Sequence, residues 1–348
     1  MSTQTMPSAE LIFETLFAYQ RSAALKSAVE LEVFTAIDEG ATTASAIAKR
    51  VNASERGVRI LCDYLTVYGF LSKADSSYQL APESAAFLSK KSPAYLGSVA
   101  RFLVMPEIGK YLETLPDAIR RGGVQDAAHS SVADDNPIWV EFARAMMPMM
   151  IPNAQAIADL VSGGTTPVKV LDVAAGHGAF GIAIARRNPN AEIVAVDWKA
   201  VLTVAEEHAQ QAGVLDRYRT MAGDAFKVDY GTGFDVALVT NFLHHYDAET
   251  NTTLLKKIAG ALKPGGQAVV LEFVPNPQPR FPAFTGGVQP DDAGRHRRRR
   301  CVHVRGTPGS ARTRRVPGCG FSPDADAGND RRRAQAIGLS TSASTSSR

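Results

Sequence analysis

The residues best suited to chemistry fall in short runs in the second half of the chain. Val168-Lys-Val-Leu-Asp-Val173 reads as a strand that leads into Ala174-Ala-Gly-His-Gly-Ala-Phe-Gly181 and then a helix. Such a glycine loop lets the backbone approach a ligand, and the helix N-terminus offers free N–H groups. Gly176, Gly178 and Gly181 fit the G-x-G-x-x-G spacing of dinucleotide sites, a weak match by itself. Asp172 closes the strand, where its charge would repel a phosphate and attract a cation; its alternative is a strand-end cap. Asp197 closes the next strand, Glu192–Asp197, where a carboxylate suits a ribose diol. A ligand with a ribose, an amino group and no phosphate satisfies both carboxylates, and S-adenosylmethionine meets that description better than NAD.

A second run is Asn241-Phe-Leu-His-His-Tyr246, directly after the fourth strand pattern. Histidine titrates near pH ~6.5, so His244 and His245 are natural candidates for a general base at neutral pH. A lone histidine there equally suits a hydrogen-bonded structural role. Trp139, Phe142, Met146, Met147, Met149 and Met150 crowd into twelve residues. They read either as an irregular core filled by flexible thioethers or as an adaptable wall around a flat apolar ligand. His177, inside the glycine loop, receives no role.

These residues need a scaffold. From Thr166 onward, strand patterns at Val168–Val173, Glu192–Asp197, Tyr218–Ala222, Phe234–Thr240 and Gln267–Phe273 alternate with helical stretches at Val201–Ala212 and Ala248–Leu262. That alternation predicts an α/β fold with a parallel, doubly wound sheet. Ahead of it, Leu11, Ile12, Leu16, Phe17, Ala24, Leu25, Ala28 and Leu31 recur at helical spacing. Thr43 and Ser54 stand where two further helices need caps. Phe70–Ser72, Lys73–Ser77 and Tyr78–Leu80 read as strand, turn and strand. Helices followed by a hairpin give a winged-helix outline. The expected divisions are 1–103 for this mainly α-helical domain, 104–161 for a helical linker carrying the methionine cluster, 162–281 for the α/β domain and 282–348 for a tail.

Four blocks in order carry a family resemblance: Val170-Leu-Asp-Val-Ala-Ala-Gly-His-Gly178, Gly223-Asp224-Ala-Phe226, Asn241–Tyr246 and Ala261-Leu-Lys-Pro-Gly-Gly266. Residues of about 10–280 resemble the small-molecule O-methyltransferases, the two-domain family of caffeate-type and acetylserotonin-methyltransferase-like enzymes. The resemblance implies a Rossmann-like class I methyltransferase sheet, S-adenosylmethionine as cofactor, a small hydroxylated aromatic acceptor and a homodimer formed through the winged-helix domain. It further implies that Asp172 and Gly176 line the methionine end, that Gly178 also contacts the cofactor, that Asp197 binds the ribose, and that Asp224 and Phe226 flank the adenine. His244 matches the family's base, Glu272 the glutamate that orients it, and Phe142 with Met146 the Phe-x-x-x-Met spacing of the acceptor wall. His245 stands where the family has an aspartate, Ala174 where it has its first glycine, and Thr240 where many plant members carry a lysine. In-line methyl transfer asks the protein mainly to position the acceptor oxygen and exclude water.

The formal net charge of +3 conceals two unlike segments. Pro282–Arg348 holds 13 Arg and 5 Asp with no Lys or Glu, about +8, which leaves about −5 on Met1–Phe281. The tail's large apolar residues are Phe284, Phe321, Ile337 and Leu339, too few to offset ordering entropy, so disorder is expected and the sheet is expected to be incomplete at its C-terminal end. Codons exist for Gly294–Thr307 that, shifted by one nucleotide, read AGTAAGDAYTFAEL, a string similar to the family's own segment. The tail is therefore read as the product of a frameshift between Val274 and Gly294. Cys62 is the one cysteine outside this tail, which excludes a disulfide framework or a cysteine-rich metal site in the body. No metal is expected. With no signal-peptide pattern and no run approaching 18 apolar residues, a cytoplasmic chain without a membrane span is expected.

Two other functions compete. One is a catalytically impaired homologue that binds cofactor only, because a further family acidic residue would fall in the altered tail. The other is a winged-helix DNA-binding regulator. The stretch Ser54–Tyr68 that would read DNA balances Glu55 and Asp63 against Arg56 and Arg59, so no nucleic-acid partner is expected.

Overall fold

The computed structural model describes residues 8–122, 136–273 and 300–305. The N-terminal part is helical: α1 (Glu10–Glu30), α2 (Val33–Asp38), α3 (Ala44–Arg50) and α4 (Glu55–Val67) precede a hairpin of β1 (Leu71–Ala74) and β2 (Ser77–Leu80). Thr43 caps α3 through its side chain, which accepts from the Ala46 N–H at 3.2 Å. Ser54 takes the extended cap conformation at α4 without a side-chain hydrogen bond. The hairpin turn is shorter than its polar composition implied, because Asp75 adopts a left-handed φ of 54° and lets two residues reverse the chain. Val33, Phe34, Ile47, Val58, Cys62, Leu65 and Tyr78 close a separate apolar core in this part.

Short helices α5 (Pro82–Phe87), α6 (Gly97–Leu103), α7 (Pro106–Glu113) and α8 (Leu115–Arg121) lead toward the long α9 (Ile138–Val161). Ala143, Met146, Met150, Ala154, Ile157 and Ala158 of α9 recur at intervals of one to four residues and form its buried stripe. The Ser98 hydroxyl of α6 donates to the Ala145 carbonyl at 2.8 Å and ties the two helices.

The α/β part runs β3 (Val168–Val173), α10 (Ala179–Arg187), β4 (Ala191–Asp197), α11 (Lys199–Gln211), β5 (Tyr218–Ala222), β6 (Phe234–Thr240), α12 (Ala248–Ala261), β7 (Leu262–Glu272) and β8 (Arg300–Arg305). The sheet order is β5-β4-β3-β6-β7-β8, with every pair parallel except β7–β8. Val170, Leu171 and Val173 of β3 are inaccessible, as befits a central parallel strand covered on both faces. One face packs on α9 and α10, the other on α12.

Two expectations need correction. The fifth strand of the α/β pattern begins at Leu262 rather than Gln267, and Lys263-Pro264-Gly265-Gly266 forms an irregularity in its pairing with β6. Arg300–Arg305, within the segment expected to lack structure, is an antiparallel strand on β7. A backbone ladder needs no particular side chains, and β7 would otherwise present an unpaired row of N–H and C=O groups. The expected frame change between Val274 and Gly294, like most of the tail, lies outside the described residues.

Candidate active site

The chain leaves β3 toward β4 and β5 on one side and returns to β6 and β7 on the other, so the strand order reverses between β3 and β6. Ligands of doubly wound sheets bind at the carboxyl ends of strands at such a point. Two non-glycine residues with φ of 53° follow these strands directly, Ala174 after β3 and Asn241 after β6. A left-handed conformation costs a side-chain-bearing residue on the order of 1–3 kcal/mol and concentrates at functional sites. What burdens Ala174 in place of a glycine is thus its conformation more than the volume of a methyl group.

The glycine loop is held from beneath. Gly176 donates its N–H to Asp197 Oδ2 at 2.8 Å, and Asp197 Oδ1 accepts from the Trp198 N–H at 2.7 Å. Burial pushes the Asp197 carboxyl up to about 6 against these two donors. A Cβ on Gly176 would meet only the Ala174 carbonyl oxygen, at 4.0 Å, so that face of the loop is open. A Cβ on Gly178 would lie 2.7 Å from the Tyr218 hydroxyl, so that face is closed. Asp172 is fully buried, and its Oδ2 accepts from the Gly181 N–H of α10 at 3.1 Å. This is the geometry of a cap; the carboxylate does not line the crevice. Its Oδ1 is buried and has no hydrogen-bond partner among the described residues, and burial, with the Asp197 charge adding, raises the group to about 7 against the Gly181 donor.

His244 stands on a single 3-10 turn, Leu243–His245, between β6 and α12. Its Nδ1 lies 2.7 Å from Glu272 Oε2 at the end of β7. The other carboxylate oxygen accepts from the N–H groups of Phe242 at 2.7 Å and Leu243 at 2.6 Å. Burial alone would raise Glu272, but the hydrogen bond and charge of His244, with the Leu243 and Phe242 donors, hold it below its ordinary value. His245 is pushed down to about 4 by burial, with His244 adding, against the attraction of Glu272, so it is a neutral ring at physiological pH.

An aromatic wall adjoins this pair. The rings of Trp139 and His245 meet edge-on at 5.3 Å between centroids, those of Phe142 and Trp139 at 5.5 Å, and those of Phe102 and Phe142 at 5.5 Å. Met146 is buried one turn along α9 from Phe142. On the opposite flank, Asp224 Oδ1 accepts from the Phe226 N–H at 2.8 Å, and the Phe226 ring meets Tyr246 at 5.0 Å and Phe242 at 6.4 Å.

Gly176, Gly178, Asp197, Asp224, Phe226, His244 and Glu272 are thus brought to one edge of the sheet, with Phe142 and Met146 on the helix beside it. Asp172 lies under the loop instead. Phe242 and Tyr246, which pack with Phe226, and Asn241 had no role in the sequence. The available signal was the aromatic pair that brackets the two histidines.

Residues 13–90 match the model of the O-methyltransferase dimerisation domain, and residues 170–266 that of a methyltransferase domain. The fold is similar to a solved chain from Nostoc punctiforme PCC 73102 assigned to the O-methyltransferases, with 48% sequence identity, a TM-score of 0.73 and coverage of 78% of this chain and 82% of that one. Human N-acetylserotonin methyltransferase in complex with S-adenosylmethionine shares the fold at 22% identity and a TM-score of 0.67, over 81% of this chain and 84% of its own. The 3-hydroxy-5-methyl-1-naphthoate 3-O-methyltransferase of Streptomyces sahachiroi is 26% identical over 257 residues, 72% of this chain and 73% of that enzyme. A glycine loop at the switch point, a carboxylate at the end of the next strand and a histidine–glutamate pair across the crevice agree with these matches, and the chain belongs to the S-adenosylmethionine-dependent O-methyltransferases.

Proposed function

We propose that His244 is the general base of an O-methyltransferase acting on a hydroxyl of a small aromatic compound. The observation that carries this reading is the 2.7 Å contact between His244 Nδ1 and Glu272 Oε2. With Nδ1–H donated to the carboxylate, Nε2 is the free base position, and it takes the proton as the acceptor hydroxyl becomes a nucleophile. A phenol titrates near pH ~10, so such a base contributes roughly 10²–10⁴-fold. Glu272 fixes the tautomer and stabilises the imidazolium that forms, while its grip on the Phe242 and Leu243 N–H groups keeps the turn in place. Phe142, Met146 and Trp139 supply a flat apolar wall, which suits an aromatic ring; the Streptomyces relative named for a hydroxynaphthoate favours the same class.

The residues present fit the cofactor. The open face at Gly176, the Asp197 carboxylate beside it and the aromatic slot of Phe226 are what a nucleoside carrying an amino acid requires. Gly176 and Gly178 would receive the methionine end, Asp197 the ribose, and Asp224 with Phe226 the adenine. When bound, S-adenosylmethionine supplies an electrophilic methyl group on a sulfonium. The apolar residues Phe13, Leu16 and Phe17 stand exposed on α1 within the stretch that matches the dimerisation domain, which supports reading this face as the surface of a homodimer.

The test compares wild type with His244→Ala by calorimetry with S-adenosylmethionine and by transfer of a labelled methyl group to a panel of hydroxylated aromatics. Binding is expected to survive and transfer to be lost. Undiminished transfer in the variant would remove His244 from the reaction.

A further inference from the structure

The ring of His177 lies in the glycine loop yet touches the helix that carries the acceptor wall. It is 3% exposed, and its two sides do different things. Nδ1 accepts the Ala179 N–H at 3.1 Å, which fixes the first turn of α10 and places the ring proton on Nε2. The carbonyl of His177 lies 2.9 Å from Nδ1 of His208 on α11. The backbone and the acceptor nitrogen therefore belong to the loop. The face of the ring belongs to the wall: it lies 16° from the plane of Phe142 at 6.4 Å and meets Phe180 at 5.9 Å from another direction. Beyond Phe142 the rings continue through Trp139 to His245, whose centroid is 4.1 Å from that of His244. Burial, with His208 adding, holds the His177 ring down to about 3, so it does not gain charge in the working range.

The geometry points to His177 as a positioning residue that transmits occupancy of the glycine loop to the acceptor wall, its ring setting Phe142 and through it Trp139. This rests on the reading of the loop as the cofactor site. Close-packed rings leave little room for one to move without its neighbours, so ordering the loop around a ligand must register at Phe142. A second route exists, because Trp198, next to Asp197, packs with Trp139 against Ala143, Val201 and Val204. The two routes make opposite predictions for His177.

The chain has two tryptophans, so Trp198→Phe leaves Trp139 as the sole indole reporter. In that background, S-adenosylhomocysteine is titrated by calorimetry for affinity and by fluorescence for the Trp139 response. His177→Asn keeps a side-chain acceptor within reach of the N–H two residues on, but removes the ring. His177→Phe keeps the ring and removes the acceptor. His177→Asn is expected to bind within about threefold of the parent and to lose the Trp139 response, and His177→Phe to bind more weakly and keep the response at saturation. If the calorimeter registers no binding to the parent, the cofactor reading fails. If the parent binds but Trp139 is silent, if the response survives in His177→Asn, or if the two variants behave alike, the relay through His177 is overturned.

Discussion

Glu272 holds His244 and the turn beneath it with one carboxylate: Oε2 lies 2.7 Å from the ring nitrogen, while Oε1 takes the N–H groups of Phe242 and Leu243. Replacement by glutamine keeps an acceptor for the turn but turns an NH2 group toward Nδ1, which must then accept, so the ring proton moves to Nε2 and the base position is lost. Glu272→Gln should therefore forfeit most of the roughly 10²–10⁴-fold contributed by a general base, approaching the loss in His244→Ala. Single-turnover methyl-transfer rates decide this, and a near wild-type rate in Glu272→Gln would mean that the glutamate does not set the tautomer.

The same carboxylate links stability to pH. Its folded-state pKa is depressed, so its stabilising effect is complete above the ordinary carboxylate range and is lost as pH falls through the folded value. The difference in urea midpoint between wild type and Glu272→Gln should shrink as pH falls below about pH 4. A difference that persists unchanged in acid would contradict the assignment.

Asp172 carries the opposite sign. Its value rises from 3.8 to about 7, so across that interval the folded chain retains a proton that the unfolded chain has lost. Stability must fall as pH rises through this window and stay lowered above it. Asp172→Asn keeps the acceptor for the Gly181 N–H and removes the charge. It should gain on the order of 1–3 kcal/mol at pH 8 and little at pH 4, read as thermal midpoints. Asp197, raised to about 6, leaves a residual slope of the same sign. An equal shift at both pH values would disprove the linkage.

Gly176 and Gly178 both have positive φ, 56° and 75°, but only the second is crowded. Gly178→Ala should cost about 1–3 kcal/mol in urea unfolding beyond the cost of its left-handed φ, because the new methyl meets the Tyr218 hydroxyl in a packed interior. Gly176→Ala should carry the cost of its left-handed φ alone, on the order of 1–3 kcal/mol, and also weaken S-adenosylhomocysteine binding in calorimetry, since its methyl would occupy the open side of the loop. Comparable unfolding penalties would show that the loop is packed on both sides.

Cys62 is buried in the N-terminal core, and burial pushes its thiol up to about 12, with Asp63 adding and Lys73 opposing. With Cys301 and Cys319 replaced by serine, Ellman's reagent should label nothing in the folded chain and one thiol in urea. Rapid labelling without denaturant would show that this core opens readily.

What could be read in the residues was what the backbone itself imposes. The glycine loop, the carboxylate after the second strand of the α/β pattern and the paired histidines are tied to strand ends, and strand ends are visible as breaks in periodicity. Period-two alternation puts Asp172 on the Val170 face, under α10, where its partner is the Gly181 N–H and not a ligand in the crevice. The left-handed conformation of Ala174 is marked only by the glycine it replaces, and that of Asn241 only by asparagine's tolerance of positive φ. The stacking of His177 on Phe142 joins segments far apart in the chain, which no local pattern records. Arg300–Arg305 was hidden by its arginine-rich surroundings, although Val302 and Val304 favour a strand.

The pairing of β3 with β6 has a consequence for how the molecule is made. The bond from the Lys169 N–H to Asp235 spans 66 residues, and the crevice between these strands cannot close until both have left the ribosome. The N-terminal helices and hairpin, whose core is drawn from residues 28–78, can condense long before that. Methyl-transfer competence is therefore a late event of biosynthesis, since Glu272 at the end of β7 must follow these strands out as well.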